Sequence, residues 1–175
     1  MREKNDFQEH LEGWFAGRLP GEWFTAAPEV AFDRDEILIV GTLSDPDLPA
    51  DAGPETRRAA TEARIQGFRE DTRGHRMRIA DESERRFGRK VSWGARSGDQ
   101  RVLFTTVATP AMTRLRMPER KVLDTLVDAG VARSRSEALA WAVRLVAQHA
   151  DEWLTELRSA MESVEEVRGR GPQVS

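Results

Sequence analysis

Apolar positions recur at spacings of three and four in FQEHLEGWFAGRL, where Phe7, Leu11, Trp14, Phe15 and Leu19 fall on one side of a helix that Pro20 ends. The period then changes. EVAFDRDEILIVGTL reads as two extended runs around the polar turn from Asp33 to Glu36, a hairpin whose second run, ILIV, is continuous enough to be buried on both faces. SDPDLPADAGP is rich in proline and aspartate and reads as a solvated loop. From Glu55 to Phe87, strong helix formers put Ile65, Phe68, Thr72, His75 and Ile79 on one face, with Gly88 as a stop, so one long helix is predicted. KVSWGARSGDQRVLFTTV adds two extended runs around the turn Ser97, Gly98, Asp99. Residues 1–110 therefore read as a small α+β domain: helix, hairpin, long helix, hairpin.

The pattern from residue 112 onward is different. In MTRLRMP, Thr113, Leu115 and Met117 fall on one side of an extended segment, and Met112, Arg114 and Arg116 on the other. Pro118 closes that segment and suits the first turn of a helix. ERKVLDTLVDAG follows, with Val122, Leu123, Leu126 and Val127 on one face and Gly130 as its C-terminal cap. In VARSRSEALAWAVRLVAQHA, Ser134 and Glu137 have capping-box spacing, so Ser134 opens a second helix. Leu139, Ala142, Val143, Leu145 and Val146 make that helix apolar over more surface than one chain can cover. DEWLTELRSAMESVEEV continues with a helical stripe of Trp153, Leu154, Leu157, Met161 and Val164, and RGRGPQVS reads as a frayed tail. The predicted division is 1–110, 111–150 and 151–175.

Composition narrows the function classes. Hydrophobic residues make up 39% and charged residues 33%, the balance of a soluble chain with a modest core. The absence of cysteine excludes disulfides, thiolate nucleophiles and thiolate zinc sites. The N-terminal residues lack the apolar core of a signal peptide, and no apolar run approaches the roughly 20 residues that cross a bilayer, so a cytoplasmic protein without membrane association is expected. The net charge of -3 conceals segregation: residues 111–150 hold seven Lys or Arg against four acids, and residues 151–175 hold three against six. A small positive island suits a local phosphate contact.

The ordered text TRLRMPERKVLDTLVDAGVARSRSEALAWAVRLV closely resembles the ribbon-helix-helix family of DNA-binding proteins. That resemblance implies an intertwined homodimer whose two strands pair as a ribbon in the DNA major groove. It implies base contacts from Arg114 and Arg116, with Met112 adding an apolar contact, and a phosphate clamp at the start of the second helix formed by Ser134, Arg135 and Ser136. It assigns Leu115, Met117, Val122, Leu123, Leu126, Leu139, Ala142, Leu145 and Val146 to the dimer core.

Other chemistry is sparse. His10, His75 and His149 lack neighbours at metal-ligand spacing, and the chain carries no phosphate-binding, dinucleotide-binding or nucleophile-elbow motif, so no enzyme, metal or cofactor is expected. Trp14, Trp23 and Trp93 are assigned to the N-terminal core, and Trp141 and Trp153, on the C-terminal helices, to the dimer core or to packing between domains. The expectation is a homodimeric, cytoplasmic, double-stranded-DNA-binding transcriptional regulator of the repressor type. Its N-terminal domain would serve oligomerisation, or a protein or small-molecule effector. Two alternatives stand beside it: a protein-interaction module, antitoxin-like or scaffold, built on the same dimer, and RNA or ribosome association through residues 54–90, which hold 11 basic against seven acidic side chains.

Overall fold

Residues 2–170 are described by the computed structural model, so positions 171–175 of the predicted tail lie outside it. Chain order is α1 (Arg2–Arg18), β1 (Glu29–Phe32), β2 (Glu36–Thr42), α2 (Pro54–Asp71), α3 (Arg73–Phe87), β3 (Lys90–Ser97), β4 (Gln100–Leu103), α4 (Met117–Asp128), α5 (Arg135–His149) and α6 (Asp151–Arg170). With one four-stranded sheet and six helices among the described residues, the fold is α+β.

Both hairpins form where the alternating runs and polar turns place them. The Asp33 carboxylate accepts from the amides of Asp35 and Glu36, each at 2.8 Å, and so fixes the first turn. β1 pairs antiparallel with β2, and β3 with β4. The two hairpins then join through a parallel β2/β3 pair, running from Glu36 opposite Lys90 to Thr42 opposite Arg96, in a sheet ordered β1-β2-β3-β4. Parallel strands need a long crossover, which α2 and α3 supply.

The crossover is not the single helix that the periodicity predicts. Thr72, at φ -92° and ψ -3°, separates α2 from α3. Its hydroxyl donates to the Phe68 carbonyl at 2.5 Å and accepts from Arg76 Nε at 2.9 Å, and such side-chain bonds to a preceding carbonyl are a known cause of helix bending. Gly88 ends α3 at φ 68°, a left-handed conformation that glycine adopts without a Cβ penalty.

The chain divides into two compact units, Arg2–Pro110 and the residues from Ala111 onward. In the first, Leu11 and Phe15 of α1, Ile37 and Ile39 of β2, Ile65 of α2, Ile79 of α3, and Trp93 and Ala95 of β3 form one buried core. Trp14 and Trp23 pack against it partly buried. In the second, Leu123, Ala132 and Ala138 alone are buried among the described residues, with Leu115, Leu126, Val127 and Leu139 packed around them. Residues 112–116 form no strand, which corrects the expected strand-helix-helix order, and Met117 is the first residue of α4. An isolated strand has no ladder to join, and among the described residues nothing pairs with this one. No described helix is long and apolar enough to cross a membrane.

Candidate nucleic-acid interface

The second unit carries the predicted DNA-contacting residues. Pro118 sits in the first turn of α4, whose N-cap residue Arg116 is extended (φ -80°, ψ 174°) as residues at that position generally are. Of the alternation ahead of it only Leu115 is half-buried, on the small core, while Met112, Thr113, Arg114, Arg116 and Met117 are all exposed. The Arg120 guanidinium donates to the Leu115 carbonyl at 2.7 Å, tying the end of this segment to α4.

Gly130 (φ 73°) turns the chain after α4, and the amide of Val131 donates to the Leu126 carbonyl at 3.0 Å. Ser134 caps α5, its Oγ accepting from the Glu137 amide at 3.2 Å. The return half of the box is shifted by one residue: the Glu137 carboxylate accepts from the Arg133 amide at 2.8 Å and from its guanidinium at 3.1 and 3.2 Å. These bonds hold the Glu137 carboxyl below its usual range.

Arg135 makes a contact that local spacing does not reveal. Its Nε and Nη2 donate to the two carboxylate oxygens of Asp124 on α4, at 2.6 and 2.8 Å. The fork-on-carboxylate bond lowers the Asp124 pKa and raises that of Arg135. The predicted phosphate clamp therefore has its arginine engaged. Ser136 is exposed, and the first amides of α5 have no intrahelical acceptor.

The residues assigned to a dimer core are distributed unevenly within the single chain. Leu123 is buried and Leu115, Leu126, Leu139 and Ala142 are half-buried, but Met117, Val122, Leu145 and Val146 are exposed. Trp141 is half-buried and Trp153 exposed.

Most of the arginine excess at 54–90 is tied into the fold of the first unit. Arg57 donates to the carbonyls of Ala50 and Ala52, Arg58 pairs with Glu62, Arg64 bonds Ser44, and Arg89 lies 4.3 Å from the Phe7 ring centroid. Sequence reasoning missed the exception, a cluster of Arg69, Arg73 and Arg76 beside Trp93 and Phe104. Its signal was the i, i+4, i+7 spacing of the three arginines, which puts them on one helical face even across the bend at Thr72. Among the described residues no group of three or more His, Asp and Glu side chains could hold a metal ion.

Residues 9–103 match the family described as Rv1265-like protein, N-terminal domain, and residues 116–168 match the Mb1296 C-terminal domain. Two mycobacterial relatives are similar over most of the chain: the uncharacterized protein Mb1296 of Mycobacterium bovis and the uncharacterized protein Rv1265 of Mycobacterium tuberculosis. Each is 55% identical over 162 residues, covering 92% of this chain and 70% of the relative. No solved structure matches the chain significantly. The C-terminal match corrects the ribbon-helix-helix resemblance. An alternating segment, two short helices and a capped start are local features found in many folds, and they did not suffice to name the family. By the match over its N-terminal half and its identity to these relatives, the chain belongs to the Rv1265-like proteins.

Proposed function

We propose that the chain is a homodimeric protein that binds double-stranded DNA in a sequence-specific manner and regulates transcription. The observation that carries this reading is the pair Arg114 and Arg116. Both are exposed, and neither guanidinium has a hydrogen bond or ion pair among the described residues, yet Leu115 between them is anchored on the apolar cluster. A held backbone bearing free guanidinium groups suits base reading, because each can donate two bonds to guanine N7 and O6. The excess positive charge of residues 111–150 and the free amides at the start of α5 add phosphate contacts.

The exposed apolar residues of α4 and α5 support the dimer. The buried core of this unit is small among the described residues, and a second copy covers Met117, Val122, Val143 and Val146. A gel-shift titration of the protein on its own promoter region and on random DNA, at two salt concentrations, tests the reading. Tighter binding to the promoter at both salts is expected; equal binding to both DNAs, or none, overturns it. Exposed Trp153, Leu157, Met161 and Val164 on α6 favour a second reading as a protein-interaction module. In that case the dimer forms and no DNA shifts.

A further inference from the structure

An open cleft of about 680 Å³ in the first unit lies between the α2/α3 crossover and residues 90–93 and 104–107. β4 pairs with β3 only from Gly94 onward, so β3 lacks a strand neighbour on that side over its first four residues, and the chain leaving β4 forms the far wall. Phe104 and Thr105 clip that wall to β3: the Phe104 amide donates to the Trp93 carbonyl at 2.7 Å, and the Trp93 amide donates to Thr105 Oγ1 at 3.2 Å. The size falls within the range of small-molecule sites.

Its charge is unbalanced. Arg76 is 6% exposed and lines the cleft, with its guanidinium 4.9 Å from the Phe104 ring centroid and 6.0 Å from that of Trp93. It donates to Thr72 Oγ1 at 2.9 Å and to the Arg69 carbonyl at 2.6 Å, but among the described residues it has no carboxylate partner. Arg69 and Arg73 line the same cleft, exposed and unpaired among the described residues. Burial first, and then the charges of Arg69 and Arg73, push the Arg76 pKa down. Glu70, the acidic residue of the lining, is bonded by Gln66, and Lys90 is engaged by Glu84 at 2.5 Å. Ser92, also in the lining, is 1% exposed, and its Oγ has no hydrogen-bond partner. A buried cation next to two like charges is costly unless an anion compensates it. Met77, Ala80, Val91 and Val107 add apolar surface to the lining, beside the hydroxyl-bearing Thr105 and Thr106.

We propose that this cleft binds a small phosphorylated aromatic molecule of the nucleotide class, its phosphate held by Arg69, Arg73 and Arg76 and its ring lying on the apolar lining. Arginine forks match phosphate oxygens, and a planar ring suits a pocket already faced by Phe104 and Trp93. The site lies wholly within the first unit and stands apart from the DNA-binding reading.

Calorimetric titration of the full chain with adenosine 5′-monophosphate, phenyl phosphate and inorganic phosphate tests it. The two ring-bearing phosphates should saturate the protein at micromolar to millimolar concentration, and inorganic phosphate should bind more weakly. Arg69→Gln and Arg73→Gln alter exposed side chains, so circular dichroism should find them folded, and each should weaken the ring-bearing probes about tenfold or more. Lys121→Gln, in the other unit, should change nothing. The proposal is overturned if neither ring-bearing phosphate binds, if inorganic phosphate binds as tightly as they do, or if both arginine variants bind like the parent protein.

Discussion

Arg135 at the start of α5 grips Asp124 of α4 with both prongs of its guanidinium, at 2.6 and 2.8 Å. This pair fastens the two helices together and occupies the arginine best placed to meet a phosphate. Under the proposed DNA-binding function, a phosphate would compete with Asp124 for this one cation.

Asp124→Asn removes the competing charge and should strengthen binding to all DNA about equally, raising the steepness of its salt dependence by about one unit as Arg135 becomes free to neutralise a phosphate. Arg135→Ala in the parent protein should have a smaller effect than in the Asp124→Asn background. Filter binding across a salt series measures both; a salt slope identical in all four proteins would remove Arg135 from the interface.

The same pair sets an acid limit. The folded pKa of Asp124 is depressed, so its contribution to stability is present above its unfolded pKa, about 3.9, and is lost as pH falls through the lower folded value. Thermal midpoints of the parent and of Asp124→Asn should differ by a constant amount at neutral pH and converge below about pH 4. A difference that stays constant into acid would show that the carboxylate contributes nothing through its charge.

Arg114→Ala and Arg116→Ala should each reduce affinity for the preferred site by about 1–3 kcal/mol and affinity for random DNA far less. Both side chains are exposed, so folding and dimer formation should be unchanged. Variants that are folded and dimeric but bind the preferred site like the parent would turn the proposal toward the interaction-module reading.

Leu123 is the largest buried side chain among the described residues of the second unit. Leu123→Ala should destabilise that unit by about 2–5 kcal/mol. Amide exchange should accelerate across α4 and α5 and stay unchanged at β2 and β3; uniform acceleration in both units would mean that they unfold together.

Gly41, in β2, lies against the ring of Phe24, and a Cβ built there would come within 2.0 Å of its Cε1. Gly41→Ala should therefore displace Phe24 and cost about 1–3 kcal/mol of stability, as overpacking does. An unchanged melting temperature would mean that the 20–28 segment moves aside freely.

Much of the local structure was legible in the sequence. Spacing of Leu11 and Phe15 gave the first helix a core face, Asp33 marked the first turn, Gly88 and Gly130 marked positions with positive φ, and Ser134 marked a helix start. Each depends on a residue's own conformational preference or on neighbours within a turn, so the information lies within a few positions. The break at Thr72 was hidden, because the apolar spacing runs through it and only the competing hydroxyl bond to Phe68 marks it.

The candidate sites were legible in part. Arg114 and Arg116, candidates from alternation alone, are exposed in the structure, but the engagement of Arg135 by Asp124, 11 residues away, was not legible. The cleft was invisible for the same reason: Arg76 and Phe104 are 28 positions apart in sequence. Family identity also lay beyond the short pattern, since the strand-and-two-helix text from 112 onward resembled one family while the chain as a whole belongs to another.

By itself, then, the sequence determined the helices around Leu11, Ile79 and Leu123 and the two hairpins with their turns. Tertiary structure alone decided the parallel pairing of Ile39 beside Trp93, which merges the hairpins into one sheet, and the gathering of Arg69, Arg73 and Arg76 around an open strand edge. Local preferences are summed along the chain within a turn or two. Which distant strand pairs, and which charge is left without a partner, depends on the apolar surface that the whole fold buries together.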